Sequence, residues 1–247
     1  MVIAHAGGEG LGPANTILAM QRSIAAGADV LDVDLRMTSD GVIVARHDRD
    51  VSTSTDGHGN IDELTWDQVR RLDTRPSWTG APIADPVPVP SLEEILAAFP
   101  TRRISVEIKQ TGRPMGPALC DELTRLHAVD RVYVGSVVDA DALATKEACP
   151  SVVITTTDAD FATMSASRAD GSAWCDPAPI AQPAFAEDLL TTDRIRWTHD
   201  HGAALYTWTV DDAETLRRLA KAGIDGVFTR RPDIARKVFD EVTANSS

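Results

Sequence analysis

Short apolar runs alternate with helix-spaced apolar patterns through most of the chain, and that alternation constrains the fold more than any other feature. Each run suits a buried strand, and each following pattern suits the helix that returns to the next strand. The repeating unit is therefore βα and the sheet it builds is parallel. The runs fall near residues 2 to 6, 30 to 36, 104 to 109, 132 to 136, 151 to 156, 172 to 176, 204 to 210 and 226 to 229. Helical patterns lie near 15 to 27, 91 to 99, 116 to 127, 139 to 148, 160 to 168, 182 to 201 with a break, 211 to 222 and 232 to 243. Eight strands in 247 residues predict an α/β chain with one domain over residues 1 to 247, a (β/α)8 TIM barrel, whose usual length is about 250 residues.

Local signals mark the element ends. Ser91 followed by Glu94 reads as a capping box, in which the hydroxyl and the carboxylate each satisfy an orphan N–H. Gly27 and Gly223 sit where helices should stop, because glycine accepts the left-handed conformation. One segment, about 38 to 90, breaks the rhythm after the second strand. Asp40-Gly41 between Leu35-Arg36-Met37 and Val42-Ile43-Val44 predicts a hairpin. A polar loop then runs to residue 60, followed by a short helix around 65 to 72 and the proline-rich stretch Pro82 to Pro90. This reads as a short insertion over the catalytic end of the barrel, since long loops inside compact domains are usually functional or disordered. The tail from Thr243 to Ser247 should fray.

The net charge of −13 repels polyanions, so nucleic acid and anionic membrane surfaces are poor partners and a small-molecule substrate is the expectation. No apolar stretch reaches the roughly 18 residues that cross a bilayer. Met1 to His5 lacks a basic region followed by a long apolar one, which leads to an expected cytoplasmic location. Cys120, Cys149 and Cys175 are odd in number and widely spaced, which predicts three free thiols rather than a disulfide framework or a zinc site.

Strand parity selects the residues that carry chemistry. In Val30-Leu31-Asp32-Val33-Asp34-Leu35 the apolar set faces one way and Asp32 and Asp34 the other. Ile104-Ser105-Val106-Glu107-Ile108-Lys109 splits likewise, with Glu107 and Lys109 on the inward face. Two unit charges about 7 Å apart at an effective dielectric of 20 repel by roughly 2 kcal/mol. Three clustered carboxylates therefore call for compensation, and one divalent cation, Mg2+ or Ca2+, suits an all-oxygen set. The alternative is that Glu107 pairs with Lys109 and Asp32 is an ordinary acid near a loop. His5 ends the first strand on the inward face, and His47-Asp48 ends the hairpin strand. Two histidines beside such a carboxylate set can act as general base and general acid, whereas either alone would read as structural. Lys109 is either the phosphate partner in an acidic pocket or one half of an ion pair. Trp208 shares the inward parity of Ala204, Tyr206 and Val210, where it walls a pocket or fills core. His199-Asp200-His201 precedes its strand and so belongs to the solvated, wrong end of the barrel.

In order and spacing, these pieces resemble the glycerophosphodiester phosphodiesterase family of the PLC-like phosphodiesterase superfamily. The resemblance runs from residue 2 to about 240. It is carried by Ile3-Ala4-His5-Ala6-Gly7, Pro13-Ala14-Asn15-Thr16, Gly27-Ala28-Asp29-Val30-Leu31-Asp32-Val33-Asp34, Thr38-Ser39-Asp40-Gly41, His47-Asp48, Val89-Pro90-Ser91-Leu92-Glu93-Glu94, Val106-Glu107-Ile108-Lys109, Tyr206-Thr207-Trp208-Thr209-Val210 and Gly223-Ile224-Asp225-Gly226-Val227-Phe228-Thr229. It implies acid–base work for His5 and His47, a divalent cation on Asp32, Asp34 and Glu107, and phosphate on Lys109. A neighbouring substrate hydroxyl would attack phosphorus to give a cyclic phosphate that water then opens. The chain departs from the family at Ala6, usually Arg, at Ala14, usually Glu, and at Asp32, usually Glu. Losing Arg and Glu together avoids leaving one charge unpaired. The expected activity is thus metal-dependent cleavage of glycerophosphodiesters or related diesters. Rival readings are a phospholipase D-like lyase that stops at the cyclic phosphate, a non-catalytic barrel that binds phosphodiesters, and an unrelated barrel enzyme using Lys109 as a Schiff base.

Overall fold

The structure, a computed structural model, describes residues 1–156, 163, 180–184 and 190–245. Among these residues nine strands form: β1 (Val2–Ala4), β2 (Val30–Met37), β3 (Ile43–Ala45), β4 (Arg103–Ile108), β5 (Val132–Ser136), β6 (Val153–Ile154), β7 (Ile180–Ala181), β8 (Ala204–Thr207) and β9 (Gly226–Thr229). Eight are parallel and run side by side in the order β6, β5, β4, β2, β1, β9, β8, β7. At the seam between the two ends of this order, the Thr156 N–H donates to the Ile180 carbonyl at 2.9 Å. The ring is a nearly closed (β/α)8 barrel. The expected helix at 160 to 168 and strand at 172 to 176 lie almost wholly outside the described residues, and β7 follows at Ile180.

The α-helices given in full by the described residues are α1 (Ile17–Ala25), α2 (Trp66–Val69), α3 (Leu92–Ala98), α4 (Gly116–Arg125), α5 (Asp139–Ala148), α6 (Thr192–Asp200), α7 (Ala213–Ala222) and α8 (Pro232–Ala244). The capping box is formed, with Glu94 N–H on Ser91 Oγ at 3.1 Å and Ser91 N–H on Glu94 Oε2 at 2.9 Å. Gly223 ends α7 at φ 89°, as its position after the last apolar turn predicts. The tail is more regular than expected, since α8 continues to Ala244.

Parity divides the barrel as predicted. Leu31, Val33, Leu35, Ile104, Val106 and Ile108 face outward into a core shared with Leu92 and Ile95 of α3 and Leu119 and Leu123 of α4. Each such side chain, taken fully out of water, contributes about 1.5–3 kcal/mol. Val2, Leu205 and Val227 pack outward against Leu216, Leu219, Ala235 and Val238 of α7 and α8. Inside the ring, Ile3, Val30, Tyr133, Ile180, Tyr206 and Phe228 form an apolar floor. Val210 departs from its expected inward parity: β8 ends at Thr207, and Val210 joins the outer core instead.

The insertion is ordered. β3 pairs antiparallel with β2, Leu35 with Ala45 and Met37 with Ile43, and Gly41 turns the hairpin at φ 90°. Val44, Val51, Ile61, Val69 and Val89 make a small core of their own. The polar loop is knitted by Arg46, only 4% exposed, whose guanidinium donates to Asp50 O at 2.9 Å, Val51 O at 3.2 Å, Thr53 Oγ1 at 2.8 Å and Ser54 Oγ. Among the described residues, no helix is long and apolar enough to cross a membrane.

The cysteine expectation is overturned. Cys120 of α4 and Cys149, just after α5, are joined by a disulfide with their Cα atoms 5.6 Å apart. α4 and α5 pack side by side and bring together thiols that are 29 residues apart in sequence, a proximity that spacing does not reveal. Cys175 lies outside the described residues.

Two outcomes follow from this architecture. Reducing the disulfide should lower the unfolding free energy by about 3–4 kcal/mol, the loop-entropy value for a closure of this length, as read by urea denaturation with and without reductant. Arg46→Ala removes several charge-assisted hydrogen bonds, so protease cleavage within residues 47–60 should accelerate about tenfold or more, as read by limited proteolysis and mass spectrometry.

Candidate active site

β2 and β4 pair residue for residue, from Val30 opposite Arg103 to Leu35 opposite Ile108. The inward side chains therefore stack in layers. Asp32 lies level with Ser105, and Asp34 level with Glu107. Lys109 N–H donates to Leu35 O at 3.0 Å, which sets Lys109 and Arg36 together one layer higher, at the rim. Because βα loops gather at the C-terminal ends of the strands, this rim is where a barrel enzyme works.

The acid layer is enclosed and compensated. Asp32 is 3% exposed and Asp34 2%. Lys109 Nζ lies 2.8 Å from Glu107 Oε2 and 3.5 Å from Asp34 Oδ1, so the ion-pair reading of Lys109 holds, and the ammonium stands in the acidic mouth. Burial lowers its pKa, but Glu107 and Asp34 hold it above the ordinary lysine value. Asp32 is pushed up to about 7, first by burial and then by the charges of Asp34 and Glu107 against the opposing pull of His5. Asn15, held at φ 59°, clamps Asp34 from both sides: its Nδ2 donates to Asp34 Oδ2 at 2.8 Å, and its Oδ1 accepts from Asp34 N at 3.0 Å.

His5 is not in a strand. β1 ends at Ala4, and His5–Gly7 form a tight turn in which Ala6 has φ 47° and donates its N–H to Asp32 Oδ2 at 3.2 Å. The turn brings Glu9 back, with its Oε1 3.3 Å from His5 Nδ1. Burial acts to lower the His5 pKa, yet Glu9, Asp32 and Asp34 together raise it to about 9. His47 follows β3, whose extension is tied to β2 by Arg46 N–H on Asp34 O at 2.7 Å. Its ring is 60% exposed with Nδ1 2.7 Å from Asp48 Oδ1, and its carbonyl accepts Arg36 Nε at 2.7 Å. A cleft of about 30 Å3 lined by Ala14, Asn15, Arg46 and His47 connects it to the Asn15 loop. Each histidine thus has a carboxylate near Nδ1, hydrogen-bonded at His47 and in ion-pair contact without a hydrogen bond at His5, and Nε2 is the nitrogen turned to other partners.

Trp208 follows the C-terminal end of β8, on the rim side of the barrel; it is 44% exposed, with its indole N–H on Gln182 O at 3.2 Å, so of its two readings core filling does not hold. His199 pairs with Asp225 at 2.7 Å and His201 stacks on Trp197 at 4.1 Å between ring centres, both at the C-terminal end of α6 and away from the rim. A groove of about 510 Å3 between Ile17, Leu18, Arg22 and the proline-rich stretch shares none of the residues described above for the rim.

The donor set at the rim is all oxygen, as a hard divalent cation requires, and its surplus of negative charge is what such a cation offsets. Among the described residues, no three His, Cys, Asp or Glu side chains already converge as metal ligands; the Lys109 ammonium supplies the positive charge beside Glu107 and Asp34. The chemistry of the residues fits the group. Glu9, the Asn15 clamp and Arg36 escaped the sequence reading. Glu9 is four residues from His5, a spacing that speaks only once a turn replaces the expected strand end.

Residues 5–234 match the sequence profile of the glycerophosphoryl diester phosphodiesterase family. A glycerophosphodiester phosphodiesterase of Caldanaerobacter subterraneus is 26% identical over 245 residues, spanning 94% of this chain and 95% of that protein. In fold, a glycerophosphoryl diester phosphodiesterase domain from Mycobacterium tuberculosis superposes with a TM-score of 0.83 at 22% identity, over 96% of this chain and 98% of that one. A phosphodiesterase of Oleispira antarctica, solved with the product sn-glycerol-3-phosphate, superposes with a TM-score of 0.76 at 18% identity, over 97% of this chain and 96% of that one. With a barrel of this topology, a match over nearly its whole length and relatives of the same name, the chain belongs to the glycerophosphoryl diester phosphodiesterase family and is by class a phosphoric diester hydrolase.

Proposed function

We propose that the chain cleaves small glycerophosphodiesters with His5 and His47 as the proton-transfer groups, Asp32, Asp34 and Glu107 as ligands of one Mg2+ or Ca2+, and Lys109 on the phosphate. The observation that carries this reading is the layered rim, where Asp34 and Glu107 stand level with Lys109 between them, beside a His5 backed by its own carboxylate. Acids, a cation and an imidazole at one strand end make a seat for an anion that undergoes proton transfer.

The residues divide the work. Lys109 attracts the phosphodiester into an otherwise acidic mouth, and Asn15 keeps the Asp34 carboxylate from turning away. One histidine Nε2 takes the proton of the substrate hydroxyl next to phosphorus. The other gives a proton to the departing alcohol oxygen. Phosphorus gains the P–O bond to the neighbouring hydroxyl and loses the P–O bond to the alcohol, leaving a cyclic phosphate. Water then opens the ring with the two histidines in exchanged roles. A bound divalent cation supplies charge neutralisation on the phosphate oxygens. Asp48 and Glu9 hold the imidazoles in orientation, as carboxylates do for catalytic histidines.

The compartment is tied to Cys120 and Cys149. A disulfide persists in an oxidising compartment, whereas a cytoplasmic chain would hold the pair reduced.

His5→Ala and His47→Ala should each lower turnover of glycerophosphocholine by about 10²- to 10⁴-fold with folding intact; unchanged rates in both, followed by phosphorus NMR with Mg2+ or Ca2+, would refute the reading. Asp32→Asn should abolish metal-dependent turnover yet raise the melting temperature in chelator, because it removes a buried charge from a crowded acid layer. A lower melting temperature would mean that Asp32 serves the fold rather than the reaction.

A further inference from the structure

Arg36 shares the inward face of β2 with Asp32 and Asp34 and stands beside Lys109 at the rim, one layer above the Asp34 and Glu107 pair. Its Nε–H donates to the His47 carbonyl at 2.7 Å. That is one of five N–H groups on a guanidinium, and among the described residues the two terminal amino groups have no hydrogen-bond partner. The side chain is half-buried, so its position is held rather than swept by solvent. Lys109 is a different kind of cation here, because it is in direct ion-pair contact with Glu107 at 2.8 Å and Asp34 at 3.5 Å, whereas Asp48, Asp62 and Asp34 act on Arg36 only at longer range.

An arginine fixed through Nε with its fork left open is set for planar, bidentate contact with two oxygens of one phosphate. Lysine offers only a point charge. In a mouth lined by Asp32, Asp34, Glu107 and Glu9, a guanidinium beside the histidine that follows β3 gives a phosphodiester both a favourable charge and a fixed orientation.

We infer that Arg36 is a substrate-binding residue of this site, taking the two non-bridging oxygens of the diester on its terminal amino groups while its Nε holds the backbone of His47. Seating the phosphate and placing the His47 imidazole are thereby coupled through one side chain. The inference rests on the phosphodiesterase reading above. It also defines the ligand class: an anionic phosphodiester or monoester with two free oxygens fits the fork, and a neutral triester does not.

The test uses the whole chain with Arg36→Gln and Arg36→Lys, calorimetry with sn-glycerol 3-phosphate, and turnover of glycerophosphocholine by phosphorus NMR. Arg36→Gln should weaken glycerol 3-phosphate binding and raise KM by about 10- to 100-fold, the range for a lost charge-assisted pair. It should also lower kcat, because His47 loses its carbonyl anchor. Arg36→Lys should recover part of the binding and little of kcat, since lysine restores charge without the fork. Binding within twofold of the unaltered chain in Arg36→Gln, at an unchanged melting temperature, would overturn the inference. If the unaltered chain binds glycerol 3-phosphate but cleaves no diester, the phosphodiesterase reading fails while the binding comparison still decides Arg36. If the unaltered chain does not bind it, the inference falls as well.

Discussion

The residue-for-residue pairing of β2 with β4 is the constraint on which the rest depends. Parallel strands in register oblige Asp34 to stand level with Glu107, and a slip of β2 by one residue would turn Asp32 and Asp34 outward into the core of Leu92, Ile95 and Leu119. The outer faces of the same strands supply the force that prevents this. Leu31, Val33, Leu35, Ile104, Val106 and Ile108 are all at most 1% exposed, so hydrophobic burial on one side of the sheet holds like charges together on the other. Lys109, the Ala6 N–H and the Asn15 amide are the local compensations for that crowding.

The two histidines reach the rim by different routes. His5 comes from the first turn after β1, is mostly enclosed, and feels Glu9, Asp32 and Asp34 at once. His47 comes from the hairpin that leads into the insertion and is largely open to solvent, steadied by Asp48 and by Arg36 through its backbone. The insertion has its own small core and its own buried arginine, Arg46, so it carries His47 as a rigid annex rather than as a loose loop.

Alternation of period two made the inward set legible: Asp32, Asp34, Glu107 and Lys109 all lie where strand parity puts them, and the Asp40-Gly41 hairpin and the Ser91 and Glu94 capping box are local signals that survive folding. What escaped depends on contacts between segments distant in sequence or on backbone conformations that side-chain type does not dictate. The left-handed Ala6 and Asn15 shorten β1 and swing Glu9 and the Asn15 amide into the site. The disulfide depends on α4 and α5 lying side by side. Trp208 keeps inward spacing and still bridges Ala184 one residue past the end of β8, yet it is 44% exposed, which parity alone does not reveal.

The seam of the barrel lies between β6 and β7, and in the ring order β2 and β1 are the strands farthest from it on either side. The Thr156 and Ile180 contact closes the ring on the wall opposite β1 and β2. His5 follows β1, Asp32 and Asp34 lie on β2 and Glu107 on β4, so the spacing among these four side chains is set by the direct pairing of β1 with β2 and of β2 with β4, and the seam takes no part in it.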